Sequence, residues 1–259
     1  MRRLVFCLVC VALYAQYDVR MPEDFKDARI FHTHERTGTT WTLYCIQALT
    51  GLPIFLTRNK ELVHYKPFRI DLSARPVFHT HFPAYVEKIN PDDNDLIITV
   101  RDYQEVIVRL AKRAPDQRAN EELHIESLLD EKKHSRFIET LKTYDNWNPK
   151  RRHMIYYEDF MTDPRSVLEK LLNFLGEDTI QLDYFMSTID AHRQRSLRVY
   201  AAQQNRAGGP MSKGTDLKFH TKNISLEKQL EAQELMRSLA GPLWDKYLTR
   251  YTISEEDAE

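Results

Sequence analysis

Short apolar runs alternate with longer stretches of helical period along most of this chain. Residues 28–33, 76–80, 96–100 and 153–157 are rich in Ile, Val, Phe and Tyr and read as strands. Helical patterns fill about 40–50, 103–114 and 121–145. The best-formed helix signal lies at 166–175, where Val167, Leu168, Leu171, Leu172 and Leu175 share a face. Asp163-Pro164 stands at its start and Gly176 at its end. A second long helix is predicted over 226–239, led by Ser225. Residues 203–215, with Gly208-Gly209-Pro210, read as a flexible loop. Strands that alternate with helices predict βαβ units and an α/β fold, with a mostly parallel sheet covered on both faces.

The N-terminus departs from that pattern. Met1-Arg2-Arg3 precedes an unbroken apolar run from Leu4 to Ala15. The run is shorter than the ~20 residues of a spanning helix and has the n-region and h-region of a secretory signal. Leu13 occupies a position where a cleavage site wants a small residue, and a docked apolar first element explains the run as well. The predicted organisation is a signal-like segment over 1–16 and a single α/β domain over 25–250. With a signal, the chain is destined for the secretory pathway or secretion; without one, it is cytoplasmic.

Composition narrows the classes. The 37 Lys+Arg against 38 Asp+Glu give a net charge of −1 over 259 residues, so no bulk charge draws the chain to nucleic acid or an anionic membrane. At 42 % hydrophobic and 11 % aromatic the chain is neither disordered nor fibrous. Of its 3 cysteines, Cys7 and Cys10 lie in the apolar run, which leaves Cys45 as a core hydrophobe and excludes a disulfide scaffold.

Chemistry concentrates where strands end. Thr33-His34-Glu35-Arg36-Thr37-Gly38-Thr39-Thr40-Trp41 follows a strand and opens a helix. A tight turn with one glycine and hydroxyls at a helix start presents backbone N–H groups and the helix dipole to an anion. It is not a Walker A loop, and an ordinary Thr-rich helix start has the same letters. Phe-His-Thr-His occurs twice, at 31–34 and 78–81, which leaves open a second reading in which four imidazoles gather a Zn²⁺ in a hydrolase.

The segment Glu35 to Trp41 resembles the phosphosulfate loop, roughly Pro-Lys-Ser-Gly-Thr-Thr-Trp, of the sulfotransferases that use 3′-phosphoadenylyl sulfate (PAPS). His79-Thr80-His81-Phe82-Pro83 is similar to that family's Lys-Thr-His-x-Pro. The run 96–106 is similar to its strand-Arg-Asn/Asp-Pro-x-Asp-Val, Ile155 to Phe160 to its Tyr-Glu-Asp-Leu, and Pro210 to Gly214 to its C-terminal Arg-Lys-Gly. The resemblance implies a three-layer, P-loop-like α/β fold in a shortened and divergent member. It implies sulfuryl transfer from PAPS to an acceptor hydroxyl or amine, with release of adenosine 3′,5′-bisphosphate (PAP). His81 is then the general base, and Arg36 stands where the catalytic Lys is usual. Thr37, Gly38, Thr39, Thr40 and Trp41 belong to the loop that binds the donor, Arg101 grips the 3′-phosphate and Tyr157 lies by the adenine. Arg109 replaces a Ser on the same phosphate, and Lys213 and Gly214 belong to a second clasp. Ser212 in place of Arg and Thr215-Asp216-Leu217-Lys218 in place of Gly-Asp-Trp-Lys depart from the pattern, so a non-catalytic nucleotide-binding relative stays open. The scheme calls for no metal, no nucleic acid and no stable membrane span. A small molecule or a carbohydrate is the expected acceptor, with specificity in loops near 52–75, 110–120 and 200–212.

Overall fold

The computed structural model describes residues 27–57, 61–65, 67–111, 121–207, 221 and 224–254. The apolar segment 1–16, and with it the expected signal, lies outside these residues.

Six strands form one sheet: β1 (Arg29–His32), β2 (Ile54–Leu56), β3 (Glu61–Val63), β4 (Val77–Thr80), β5 (Asp95–Val100) and β6 (Arg152–Tyr156). Their order is β3-β2-β4-β1-β5-β6, and every pairing is parallel except that of the edge strand β3 with β2. All four residues of β1 and of β4 are buried, as expected when helices cover both faces of a parallel sheet.

Alternate residues supply the two cores. Ile30, Phe78, Leu96, Ile98 and Val100 face a layer that contains α3 (Tyr103–Ala111), α5 (Glu131–Asp145) and α10 (Leu226–Ala240). Phe31, Val77, Ile97 and Ile155 face the other layer, with α1 (Thr39–Thr50) and α7 (Pro164–Leu175). The order is completed by α2 (Pro83–Val86), α4 (Glu121–Leu128), α6 (Tyr157–Thr162), α8 (Leu182–Ser187) and α9 (Ile189–Ala207).

The helix starts follow the expected chemistry. Asp163 accepts from the Ser166 N–H ahead of Pro164, and Gly176 ends α7 in a left-handed conformation, at φ 69°. Ser225 accepts from the Lys228 N–H at the start of α10. Cys45 is fully buried in α1.

Three expectations are corrected. The pattern over 121–145 is two helices, broken at Leu129-Asp130, where the Asp130 side chain accepts from the Lys132 N–H. Residues 203–207, expected in a loop, continue α9 to Ala207. The expected specificity loop 52–75 contains β2 and β3.

The topology sets a crevice. Beyond β1 the chain turns into α1 on one face, and beyond the neighbouring β5 it turns into α3 on the other. Where adjacent parallel strands send their connections to opposite faces, a cleft opens at their carboxyl ends.

Candidate active site

After His32 the chain turns through 33–38 into α1. Arg36 and Gly38 both take the left-handed backbone, at φ 73° and 100°. For Arg36 that conformation costs about 1–2 kcal/mol, so the surroundings must impose it. Thr37 anchors the turn between them. Its buried hydroxyl donates to the His34 carbonyl at 2.8 Å and accepts from the Thr99 hydroxyl of β5 at 2.8 Å. The Thr37 side chain thus faces the sheet, and only its backbone is left for an anion. Gly38 opens α1 with no side-chain cap, so the first N–H groups of the helix keep their outward donors. The Arg36 side chain is exposed, and Thr39 and Thr40 are half-buried. Trp41 packs inward, stacked on Tyr44 at 5.7 Å between ring centroids and against Phe160 at 5.9 Å.

His81 follows the end of β4, beside β1. Its Nδ1 lies 2.7 Å from the Thr33 carbonyl, which only an N–H can satisfy, so Nε2 carries the lone pair. The Thr33 hydroxyl joins three more groups: Thr39 Oγ1 at 2.9 Å, His79 Nε2 at 3.2 Å and His81 Nδ1 at 3.2 Å. Burial lowers the His81 pKa first. The Arg136 and Arg36 charges lower it further, and the Thr33 carbonyl and Glu35 work against them. Burial, with His81 and His32 adding to it, pushes His79 well below the ordinary imidazole range. His79 is therefore neutral.

At the end of β5, Arg101 is buried and its guanidinium lies 4.5 Å from the centroid of the Tyr157 ring. The same ring covers Gly38. Arg109, two helical turns on, ion-pairs with Glu105 at 3.4 Å, and burial, with the charge of Arg101 adding to it, lowers its pKa. Glu158, next to Tyr157, braces the corner: one oxygen accepts from the Asp102 N–H at 2.9 Å and the other from the Tyr251 hydroxyl at 2.8 Å. The Asp102 carboxyl is pushed up to about 6, chiefly by burial. The turn after β1, the ends of β4 and β6, and β5 with the helix that follows it thus bring Arg36, Gly38, His81, Arg101, Arg109 and Tyr157 to one edge of the sheet.

Comparison with known proteins points the same way. The sequence pattern described as "Sulfotransferase family" matches residues 77–181. The fold resembles that of mouse sulfotransferase SULT7A1 complexed with PAP. The two are 18 % identical over 85 % of this chain and 87 % of that one, with a TM-score of 0.56. It also resembles retinol dehydratase in complex with androsterone and the inactive cofactor PAP, at 12 % identity over 86 % and 82 % of the chains, with a TM-score of 0.57. No curated protein matches the chain by sequence. The chain thus shares the fold of these sulfotransferases, and the sulfotransferase pattern matches it over residues 77–181.

Against the sulfotransferase motifs that its segments resemble, the chain differs in charge. His79, at a position where Lys is usual, contributes no cation, because burial keeps it neutral. Arg109, at a position where Ser is usual, brings one close to Arg101. Lys213 and Gly214 lie outside the described residues.

The metal reading of the doubled His-x-His fails on register. Phe31 pairs with His79 and His32 with Thr80. Directly paired residues share a face, so His32 lies on the face opposite His79. His34 bonds the Glu35 carbonyl at 2.9 Å and packs on Phe137. Among the described residues no three His, Cys, Asp or Glu side chains are grouped to hold a metal.

Several site residues were not singled out from sequence. Thr33 organises both histidines, and Glu105 and Glu158 fix the β5 corner. Each lies inside a segment singled out at a strand end, but its long-range partners leave no trace in the letters.

Proposed function

We propose that this protein binds PAPS at the carboxyl edge of β1, β4 and β5 and moves its sulfuryl group to an acceptor hydroxyl or amine. The observation that carries the reading is the meeting of Gly38, Tyr157 and Arg101 beside a histidine whose Nε2 is held as the acceptor. The residues fit an anionic adenosine nucleotide. The uncapped start of α1 offers N–H donors, and Arg36, Arg101 and Arg109 supply cations on one edge. Lys213 and Gly214 are proposed to add a second clasp on the 3′-phosphate.

The roles follow from position. His81 Nε2 takes the proton as the acceptor oxygen or nitrogen bonds to sulfur. The bond from sulfur to the bridging phosphate oxygen breaks, and Arg36 meets the charge that develops there. Arg101 and Arg109 hold the 3′-phosphate, Tyr157 lies against the purine, and binding in register supplies orientation. The acceptor class is a small molecule or a carbohydrate.

Calorimetry with PAP on the wild type and on Arg101→Ala tests the reading. The wild type is expected to bind, and loss of one buried charged contact weakens binding by about tenfold or more. No heat with either protein overturns the proposal. Binding without sulfate transfer to any acceptor in a panel of phenols and sugars supports the non-catalytic alternative instead.

A further inference from the structure

Glu105 has no place in the scheme above, yet its side chain is fully buried in the first turn of α3. A buried carboxylate is costly unless it is paired and hydrogen-bonded, and this one is both. One oxygen accepts from the Thr221 N–H and from the Thr221 hydroxyl, each at 2.9 Å. The other faces Arg109 Nε at 3.4 Å.

Thr221 is gripped from the other side as well. The Gln229 side chain donates to the Thr221 carbonyl at 3.2 Å, and Gln104, adjacent to Glu105, donates to the Gln229 carbonyl at 2.9 Å. Two neighbouring residues of α3 therefore fix one point of the chain 116 positions away. Arg109 is meanwhile held one helical turn from Glu105, close enough to Arg101 for the two cations to repel.

We propose that Glu105 is a positioning residue for donor recognition, holding Arg109 with one oxygen and Thr221 with the other so that both keep a fixed geometry beside Arg101. The inference rests on the nucleotide reading above and adds to it the group that orients the extra cation. Its charge matters toward Arg109. Toward Thr221, acceptor capacity alone is enough.

Glu105→Gln separates the two contacts, because an amide oxygen still accepts from Thr221 but no longer pairs with a guanidinium. Calorimetry on the full chain with PAP and with adenosine 5′-monophosphate, which lacks the 3′-phosphate, reads the effect as a ratio of affinities. The wild type should favour PAP, and the variant should lose about tenfold of that preference while its affinity for the monophosphate stays within about twofold. Glu105→Asp should recover part of it. A preference unchanged in Glu105→Gln overturns the proposal, whether both affinities hold or both fall together. If Glu105→Gln does not fold, Glu105→Asp decides: a reduced preference for PAP with the monophosphate affinity kept supports the assignment, and an unchanged preference overturns it. A wild type that binds neither nucleotide removes the nucleotide reading itself, a failure distinct from either of these.

Discussion

A Cβ added to Gly38 would fall 2.2 Å from Cδ2 of Tyr157. The ring of Tyr157 occupies the space that any other residue at position 38 would need, and the backbone there is left-handed at φ 100°. Two independent demands thus select glycine: conformation and close approach. The contact also joins the turn after β1 to the start of α6, 119 residues on, and sets Tyr157 under the Arg101 guanidinium.

Gly38→Ala should therefore destabilise the fold by about 1–3 kcal/mol from backbone strain, with the collision against Tyr157 added to it. Denaturant unfolding of Gly38→Ala, Tyr157→Ala and the double variant separates the two causes. In the double variant the collision disappears but the strain remains, so it should be more stable than the sum of the single losses predicts. Strict additivity would show that the ring and the glycine do not interact.

The parallel sheet was legible because its strands are buried on both faces and so read as apolar runs. β2 and β3 were not, since three residues each carry too little pattern. Around the site the limit was register. Alternation along β1 and β4 is visible in the letters, but which residue lies beside which is not. The pairing of Phe31 with His79 decides that His32 and His79 part company. It also leaves Thr33 beside His81, where its carbonyl chooses the imidazole tautomer. Long-range partners such as Glu105 with Thr221 leave no local trace at all.

The tautomer of His81 has a kinetic consequence. With Nδ1 bound to the Thr33 carbonyl, Nε2 is the nitrogen left to meet an acceptor proton in the proposed reaction, where a base is worth about 10²–10⁴-fold in rate. His81→Ala should lose turnover in that range, while PAP affinity changes by no more than about twofold, because Nε2 serves the acceptor side. Burial lowers the His81 pKa, so the neutral base persists on acidification and the acid limb of kcat/KM should lie below the ordinary imidazole value of about 6.5. Sulfate transfer from PAPS across a pH series checks both. Undiminished turnover in His81→Ala would remove the base from the mechanism.

Acid should also weaken the fold through His32 and His34. Both are buried, and burial lowers the pKa of each to about 4. Above about pH 6.5 the imidazoles are neutral in the folded and the unfolded chain alike, so their contribution is complete. As the pH falls below that value the unfolded chain takes up protons first, and stability is lost progressively until about pH 4, by roughly 3 kcal/mol for each group. Asp102, pushed up to about 6, acts in the opposite sense, because its folded form takes up a proton before the unfolded one does. The total acid response therefore mixes both signs, and a difference between variants isolates one group. His34→Gln should unfold with roughly one proton fewer taken up at pH 5, so its stability falls less steeply than that of the wild type between pH 6.5 and 4.5. Denaturant unfolding of both proteins along that series reads the slopes, and parallel curves would mean that His34 titrates alike in the folded and unfolded chain.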